Sequence, residues 1–211
     1  MLIPIETASI FFAATIALAL SPGPDNIFVL TQSALHGRAA GLLVTLGLCT
    51  GVVLHTAAVA LGVAAVFAAS ALAFNALKLL GVLYLLYLAW RAFRAPISTL
   101  DSATQSNLSG CRLYVRGVLM NVTNPKVAIF FLAFLPQFAD PARGSIALQM
   151  TILGAIFILA AMLVFGAIAL SAGYLGERLR SSGRAQMFLN RTAGVVLVAL
   201  ALRLLTSRQA G

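Results

Sequence analysis

Charged residues are scarce in this chain, and that scarcity decides its class. Only 9% of the 211 residues are charged, 61% are hydrophobic, and the mean hydropathy is +1.02. A soluble domain carries about 25% charged residues, so charges this few could not cover the surface of a globule. Several apolar runs also reach the ~17–25 residues that cross a bilayer core. The composition therefore predicts an all-α, multi-pass membrane protein.

The chain also lacks the groupings of residues on which enzymes and cofactor sites depend. Its two cysteines, Cys49 and Cys111, and its two histidines, His36 and His55, form no metal-ligand spacing and no HExxH-like motif. No GxxxxGK[ST] loop is present to bind a nucleotide. An intramembrane enzyme would need a nucleophile with a base, paired carboxylates or a metal at depth, and only Asp25 is a deep carboxylate. We therefore expect no catalysis, no metal and no cofactor.

The net charge of +9 comes from arginines at the ends of hydrophobic segments. Nucleic acid is one partner for a basic protein, but this placement is the positive-inside pattern, whose partner is anionic cytoplasmic lipid. We expect a lipid bilayer as partner and no nucleic acid. The predicted cytoplasmic side carries Arg38, Arg91, Arg94, Arg112, Arg116, Arg178, Arg180, Arg184 and Arg191, whereas the opposite side carries Arg143 and Arg208, with Lys78 and Arg203 near segment ends.

Six hydrophobic segments are predicted, which puts both termini outside the cytoplasm. They cover residues 5–35, 39–65, 74–93, 113–138, 146–173 and 188–205. The first, if helical throughout, would be roughly 46 Å long, against a hydrocarbon core of roughly 30 Å. It must tilt, project from the membrane or re-enter, and re-entry would move the N-terminus to the other side.

The two halves of this single membrane domain resemble each other. Residues 1–94 and 113–211 each contain a proline-broken segment followed by two apolar ones, and the polar stretch 95–112 connects them. Three helices per half insert the second half upside down relative to the first. The pattern predicts a 3+3 inverted repeat, as in many secondary transporters, where paired Gly/Pro interruptions indicate the binding site.

The first interruption is Pro22-Gly23-Pro24-Asp25, and the second is Asn124-Pro125-Lys126. An Asp or Lys near the centre of a membrane helix costs about 2.5–3.5 kcal/mol, whereas each large apolar residue returns only about 0.3–0.6 kcal/mol. Such breaks persist where other helices or a hydrated cavity satisfy the freed backbone groups. Aligning Pro24 with Pro125 places Asp25 opposite Lys126, so equivalent positions carry opposite charges near the midplane.

This arrangement predicts a site for a zwitterion between the two breaks. The helix ends created by the breaks suit a carboxylate at the N-terminus and an ammonium at the C-terminal carbonyls. Asp25 complements an ammonium and Lys126 complements a carboxylate. An alternative is that the two side chains form a permanent ion pair that pins helices together. The predicted substrate-binding residues are Asp25, Asn26, Asn121, Asn124 and Lys126, and the predicted helix-break residues are Pro22, Gly23, Pro24 and Pro125.

Other polar and small residues carry weaker signals. His55, together with Asp25, is a candidate proton relay, although a single His more often bonds to a neighbouring helix. Gln149 lies near a segment end, where interfacial solvation is expected. Gly47 and Gly51 form a GxxxG pattern, typical of close helix packing. That contact lies either within one subunit or between the subunits of a homo-oligomer.

Three stretches, "SPGPDN", "LKLLGVLYLLYLAWRAF" and "RGVLMNVTNPKVAIFFLAFLPQF", resemble the LysE/RhtB family of bacterial amino-acid exporters. The resemblance covers nearly the whole chain in order, and Tyr114 is a mild departure at a position that is commonly Phe. It implies secondary-active efflux of an amino acid or derivative across the inner membrane. Since no carboxylate besides Asp25 lies near the breaks, a neutral substrate such as threonine or homoserine is favoured over a basic one. The alternatives are a channel or other small-solute permease, a non-transporting assembly subunit, and an intramembrane enzyme.

Overall fold

The computed structural model describes residues 2–21, 23–69, 71–94, 109–181 and 183–206, and the regular elements in these ranges are all helical. The first half contains α1 (Ile5–Leu20), α2 (Pro24–His36), α3 (Arg38–Ala69) and α4 (Ala71–Phe93). The second half contains α5 (Gly110–Val122), α6 (Pro125–Ile129), a π-helical turn (Phe130–Phe134), two 3-10 turns (Leu135–Phe138 and Pro141–Arg143), α7 (Ile146–Ser181) and α8 (Gly183–Thr206). The all-α membrane fold with two broken segments is confirmed.

Length and hydropathy identify up to four membrane spans in the described ranges. Arg38–Gly62 of α3 and Ile146–Ser171 of α7 each qualify alone. Two helix pairs qualify together, α1 with α2 and Gly110–Val122 with Pro125–Phe138, and their axes bend by 63° and 48° at the breaks. The count of six spans, the membrane crossing or re-entry of the broken pairs, and the division into repeats 1–94 and 113–211 stay predictions. Pro22 and residues 95–108 lie outside the described residues.

Side chains are distributed as in a membrane protein, with polar groups inside and apolar groups outside. Leu54 and Leu61 of α3 are 51% and 81% exposed, and Leu163 of α7 is 54% exposed. Asp25 and Lys126, in contrast, are buried. In water this distribution would be unfavourable, but against lipid tails an apolar exterior carries no cost.

The core is formed by α3, which packs against α5 and α7, while α4 packs against α8. Two glycines let α3 and α5 approach closely. A Cβ atom on Gly47 would lie 2.2 Å from the Tyr114 carbonyl oxygen, and one on Gly117 would lie 2.5 Å from the Val44 carbonyl oxygen. A Cβ atom on Gly51 would lie 2.6 Å from the Asn121 side chain. The GxxxG contact therefore lies within the chain, and α5 occupies the face that the homo-oligomer interpretation assigned to a second subunit.

Candidate functional site

The first break separates α1 from α2 at the prolines. A proline has no N–H, so Pro22 cannot donate a helical hydrogen bond to the carbonyl of Leu18, four residues earlier. Helix α2 begins at Pro24, where the missing N–H and the fixed φ suit a helix start. The Asn26 side chain spans the break, because its Nδ2 donates to the Ala19 carbonyl at 2.6 Å. Two helix ends therefore lie next to each other inside the protein.

The second break is built by Asn124 and Pro125. Asn124 caps α6, since its Oδ1 accepts a hydrogen bond from the backbone N–H of Lys126 at 3.0 Å. Pro125 cannot donate to the Asn121 carbonyl of α5. That carbonyl instead accepts from the Asn124 N–H at 3.0 Å and lies 3.2 Å from the His55 Nε2 of α3. His55 thus contacts a neighbouring helix at the point where the proline interrupts it.

The two breaks meet, and each charged side chain of one break binds the other break. Asn124 Nδ2 donates to Asp25 Oδ2 at 2.8 Å. Lys126 Nζ donates to the carbonyls of Leu18 and Ser21 at 3.1 and 3.0 Å. Both carbonyls lie at the C-terminal end of α1, where the sequence predicts acceptors for an ammonium group or a cation. The lysine of the protein itself occupies them in this structure.

Among the described residues, no salt bridge joins Asp25 to Lys126. The interpretation of these side chains as a permanent ion pair is therefore wrong for this structure. The physical reason is that neutral groups compensate each charge, namely the Asn124 amide for the carboxylate and two backbone carbonyls for the ammonium. Asp25 and Lys126 both line the same cavity.

All four polar residues of this centre are buried, with exposed fractions of 2% for Asp25, 2% for Asn121, 3% for Asn124 and 7% for Lys126. Two of their oxygens, Asp25 Oδ1 and Asn121 Oδ1, have no hydrogen-bond partner. An unpaired acceptor in a low-dielectric interior is costly, and ionisable residues inside membrane segments commonly mark transport pathways. The centre is therefore set up to receive a hydrogen-bond donor.

A cavity lies between the breaks and brings these acceptors together. Asp25, Asn121 and Lys126 form its polar part. Its apolar part is formed by Leu18, Ala19, Leu48, Val52, Val127, Phe157, Ala161 and Phe165. The space open to the centre of a water molecule is about 10 Å³, which is roughly what a single water requires. The cavity is polar on one side and apolar on the other, and it is too small in this closed state for an amino acid.

The sequence-predicted site residues fall into two groups. Asp25, Asn121 and Lys126 line the cavity, and Asn124 donates a hydrogen bond to Asp25. Asn26 bridges the break without lining the cavity, and His55 lies behind Asn121, with its ring centroid 5.6 Å from that of Phe131. Gly23 packs against the lysine, since a Cβ atom there would lie 3.2 Å from Lys126 Nζ.

Sequence reasoning missed the apolar wall that α7 contributes. Phe157, Ala161 and Phe165 line the cavity at intervals of four residues, as expected for one face of a helix. The spacing was visible, but every neighbouring position of α7 is apolar as well. No pattern in the sequence distinguishes the cavity face from the lipid face there.

Comparison with known proteins agrees with this architecture. The family model for the LysE type translocator matches residues 16–208 of this chain. The chain belongs to the LysE family. It is thus a member of a translocator family, and the bacterial inner membrane is where LysE-family proteins reside.

Three bacterial relatives are similar to this chain over most of its length. A homoserine/homoserine lactone efflux protein of Salmonella typhimurium is 33% identical over 195 residues, which cover 92% of this chain and 93% of the relative. An uncharacterised membrane protein of Vibrio cholerae is 32% identical over 172 residues, covering 81% and 83%. Another, from Bacillus subtilis, is 29% identical over 195 residues, covering 88% and 92%. No solved structure matches the chain.

Tyr114 of α5 makes a polar contact with α3. The Tyr114 hydroxyl lies 2.9 Å from Thr50 Oγ1 of α3, within hydrogen-bonding distance. The pair adds a polar contact to the close α3–α5 packing at Gly47. A phenylalanine at this position would lack that contact.

Proposed function

We propose that this chain is a secondary-active exporter of a neutral amino acid or amino-acid derivative, which binds between the two helix breaks. One observation carries the proposal: the cavity between the breaks combines two unpaired acceptors, Asp25 Oδ1 and Asn121 Oδ1, with the Lys126 ammonium. The ammonium and the carboxylate of a zwitterion lie next to each other. Such a molecule can therefore bind the two acceptors through its ammonium and Lys126 through its carboxylate.

The substrate ammonium binds Asp25 and Asn121 in this proposal. An ammonium group has three N–H donors and no acceptor, and both free oxygens are acceptors. The substrate carboxylate binds Lys126, whose Nζ has used two of its three donors on the carbonyls of Leu18 and Ser21. The N-terminal end of α2 beside it adds a partial positive charge.

The remaining surface of the cavity favours a small, uncharged side chain. Apolar residues of α3 and α7 form that surface, and Asp25 is the sole carboxylate among the lining residues. A basic substrate would need a second negative group for its side chain. The Salmonella typhimurium relative, named for homoserine and homoserine lactone efflux, supports a substrate of this kind, as homoserine is small and carries no side-chain charge.

Proton exchange at Asp25 provides a route to drive export. The chain has no nucleotide-binding loop, and Asp25 is the carboxylate of the cavity. Binding of a proton would remove the charge that holds the substrate ammonium, so that proton and substrate would alternate at one site. Membrane potential acting on a cationic substrate is the other source of energy, and a neutral zwitterion excludes it.

Efflux from cells tests this proposal. Cells that overproduce the protein are loaded through dipeptides, each with one amino acid of a broad panel that includes homoserine and threonine. We expect faster loss of small neutral members and unchanged loss of lysine and arginine. Saturable counterflow of labelled homoserine in proteoliposomes identifies a carrier, whereas linear, non-saturating flux identifies a channel. Fast efflux of lysine alone would contradict the neutral-substrate assignment.

His55 is predicted to brace α3 against α5 rather than to relay protons. Its Nε2 meets the carbonyl that Pro125 leaves without a helical donor. A glutamine can keep that hydrogen bond but cannot titrate, so His55→Gln should retain proton-coupled export within a factor of about 2. His55→Leu loses this hydrogen bond and should unfold at a slightly lower temperature, because the Asn121 carbonyl keeps the Asn124 N–H at 3.0 Å and one hydrogen bond contributes a net of about 0.5–1.5 kcal/mol. Loss of export in His55→Gln with normal stability would assign the relay role to His55.

A further inference from the structure

The face of α2 that carries Asp25 stays polar to the end of the helix. Gln32 and His36 follow Asp25 by 7 and 11 residues, spacings that place all three on one side of an α-helix. Gln32 is 8% exposed. Gln32 Oε1 and His36 Nδ1 are buried and have no hydrogen-bond partner among the described residues, as is true of Asp25 Oδ1. Three unpaired polar atoms therefore follow one helix face.

This face has the length of half a membrane. Eleven residues of α-helix rise about 16 Å, and half of the hydrocarbon core is roughly 15 Å. The face starts at the cavity and ends at His36, beside Arg38. The positive-inside pattern predicts that this end faces the cytoplasm. It therefore connects the cavity with the side from which an exporter takes its substrate.

The helices around Gln32 are in close contact in this structure. A Cβ atom on Gly41 of α3 would lie 1.7 Å from Ser33 Oγ and 3.0 Å from the Cβ of Ala169 on α7. Ser33, the neighbour of Gln32, bonds back to its own helix through the Val29 carbonyl at 2.7 Å. Three small residues, Ser33, Gly41 and Ala169, thus close the space between α2, α3 and α7. Ser33 makes its hydrogen bond within α2, so van der Waals packing alone joins these three residues across the helices.

We propose that the polar face of α2 is the cytoplasmic entry path to the central site and that Gln32 is an intermediate binding station for the ammonium group of the substrate. This rests on the proposed function. Gln32 Oε1 accepts the ammonium about two turns beyond Asp25, and the small-residue contact of α2, α3 and α7 closes behind it. Oxygen acceptors separated by two helical turns allow the ammonium to move in steps without crossing a wholly apolar region.

Thiol labelling tests the path directly. In a background of Cys49→Ala and Cys111→Ser, Gln32→Cys is compared with Ile27→Cys, whose position on the same helix is 46% exposed on the apolar outside and far from the His36 end. The probe is 2-(trimethylammonium)ethyl methanethiosulfonate, a fixed cation, added to inside-out vesicles. Because thiols react as thiolates in water, we expect labelling of Gln32→Cys to be at least about tenfold faster than labelling of Ile27→Cys, and homoserine to slow it.

Two results would overturn the path. One is labelling of Gln32→Cys no faster than that of Ile27→Cys in vesicles that transport. The other is equal labelling by the anionic sulfonatoethyl reagent, which would show a water crevice without preference for cations. Right-side-out vesicles provide the control for sidedness, and labelling from that side alone would place the path on the outer half.

Export rates distinguish failure of this inference from failure of the proposed function. Gln32→Leu removes the acceptor at similar volume, and we expect about tenfold slower efflux with unchanged binding of labelled homoserine to the purified protein. Gln32→Glu keeps the acceptor and should restore export. Normal efflux by Gln32→Leu alongside inactive Asp25→Asn would refute the station and leave the central site standing. Normal efflux by both variants would refute both.

Discussion

Asp25→Asn is expected to abolish export and to leave the protein folded in the membrane. The substitution is nearly isosteric, and an asparagine oxygen can still accept the hydrogen bond that Asn124 donates at 2.8 Å. What disappears is the negative charge facing the substrate ammonium. Removing one member of a buried charge pair costs about 2–5 kcal/mol, and each 1.4 kcal/mol is a factor of ten. We therefore expect efflux to fall at least ~25-fold in loaded cells.

Lys126→Gln is the matching change at the other break. A glutamine amide keeps two N–H donors but carries no charge, and its shorter side chain is less well placed for the carbonyls of Leu18 and Ser21, to which Lys126 Nζ donates. We expect loss of export and a modest loss of thermal stability. Measuring the folded fraction by size-exclusion chromatography in detergent separates these two effects. Wild-type efflux by both Asp25→Asn and Lys126→Gln would show that substrate does not bind between the breaks.

A charge-swapped protein, Asp25→Lys with Lys126→Asp, provides a sharper control. If the two charges only hold helices together, exchanging them should preserve both folding and export. If they recognise a zwitterion, the swapped protein should fail to export. The observed geometry favours the second outcome and also predicts less folded protein, because a carboxylate at 126 would face the carbonyls of Leu18 and Ser21, which are acceptors.

The second large effect is expected at the contact of α3 with α5. In Gly47→Ala the new methyl group would lie 2.2 Å from the Tyr114 carbonyl oxygen, and a helix backbone cannot move aside as a side chain can. Overpacking of a tight interior costs about 1–3 kcal/mol. We expect less folded protein and a lower unfolding temperature, measured by thermal denaturation of the detergent-solubilised chain.

Gly62→Ala on the same helix is the matched control for Gly47→Ala. Nothing lies within 4 Å of a Cβ atom at Gly62, and alanine in a helix is favoured over glycine by roughly 0.5–1 kcal/mol. The same substitution should therefore stabilise at Gly62 and destabilise at Gly47. Equal effects at both positions would mean that α3 and α5 do not approach as closely as described.

Hydrophobic periodicity and the chemistry of proline were sufficient to predict much of the fold. The predicted interruption at 21–25 is the gap between Leu20 and Pro24, and the second break falls between Val122 and Pro125. These boundaries could be predicted because proline has no N–H and ends a helical hydrogen-bond pattern whatever its surroundings. Ends without proline were less certain, and α7 continues to Ser181, beyond the predicted 173.

Polar residues near segment ends were predicted less well. Gln149 was expected to be solvated at the interface, but it is fully buried. It accepts from the Asp140 N–H at 2.9 Å and donates to the Asp140 and Gly144 carbonyls at 2.8 and 3.3 Å. A glutamine near the end of a span satisfies its amide equally well with water or with a folded loop. The position of a glutamine along a helix therefore does not indicate whether water or a folded loop will satisfy its amide.

The sequence by itself determined the class of the protein and the composition of its centre. Few charges and long apolar runs require a membrane, and two proline breaks with Asp25 and Lys126 bring opposite charges to the same depth. Only the tertiary structure decided how these groups are paired. Hydrogen bonds between residues about 100 positions apart depend on the direction of each side chain. In the structure Lys126 donates to the carbonyls at the end of α1, and Asn124 donates to Asp25. Asp25 Oδ1 and Asn121 Oδ1 have no hydrogen-bond partner.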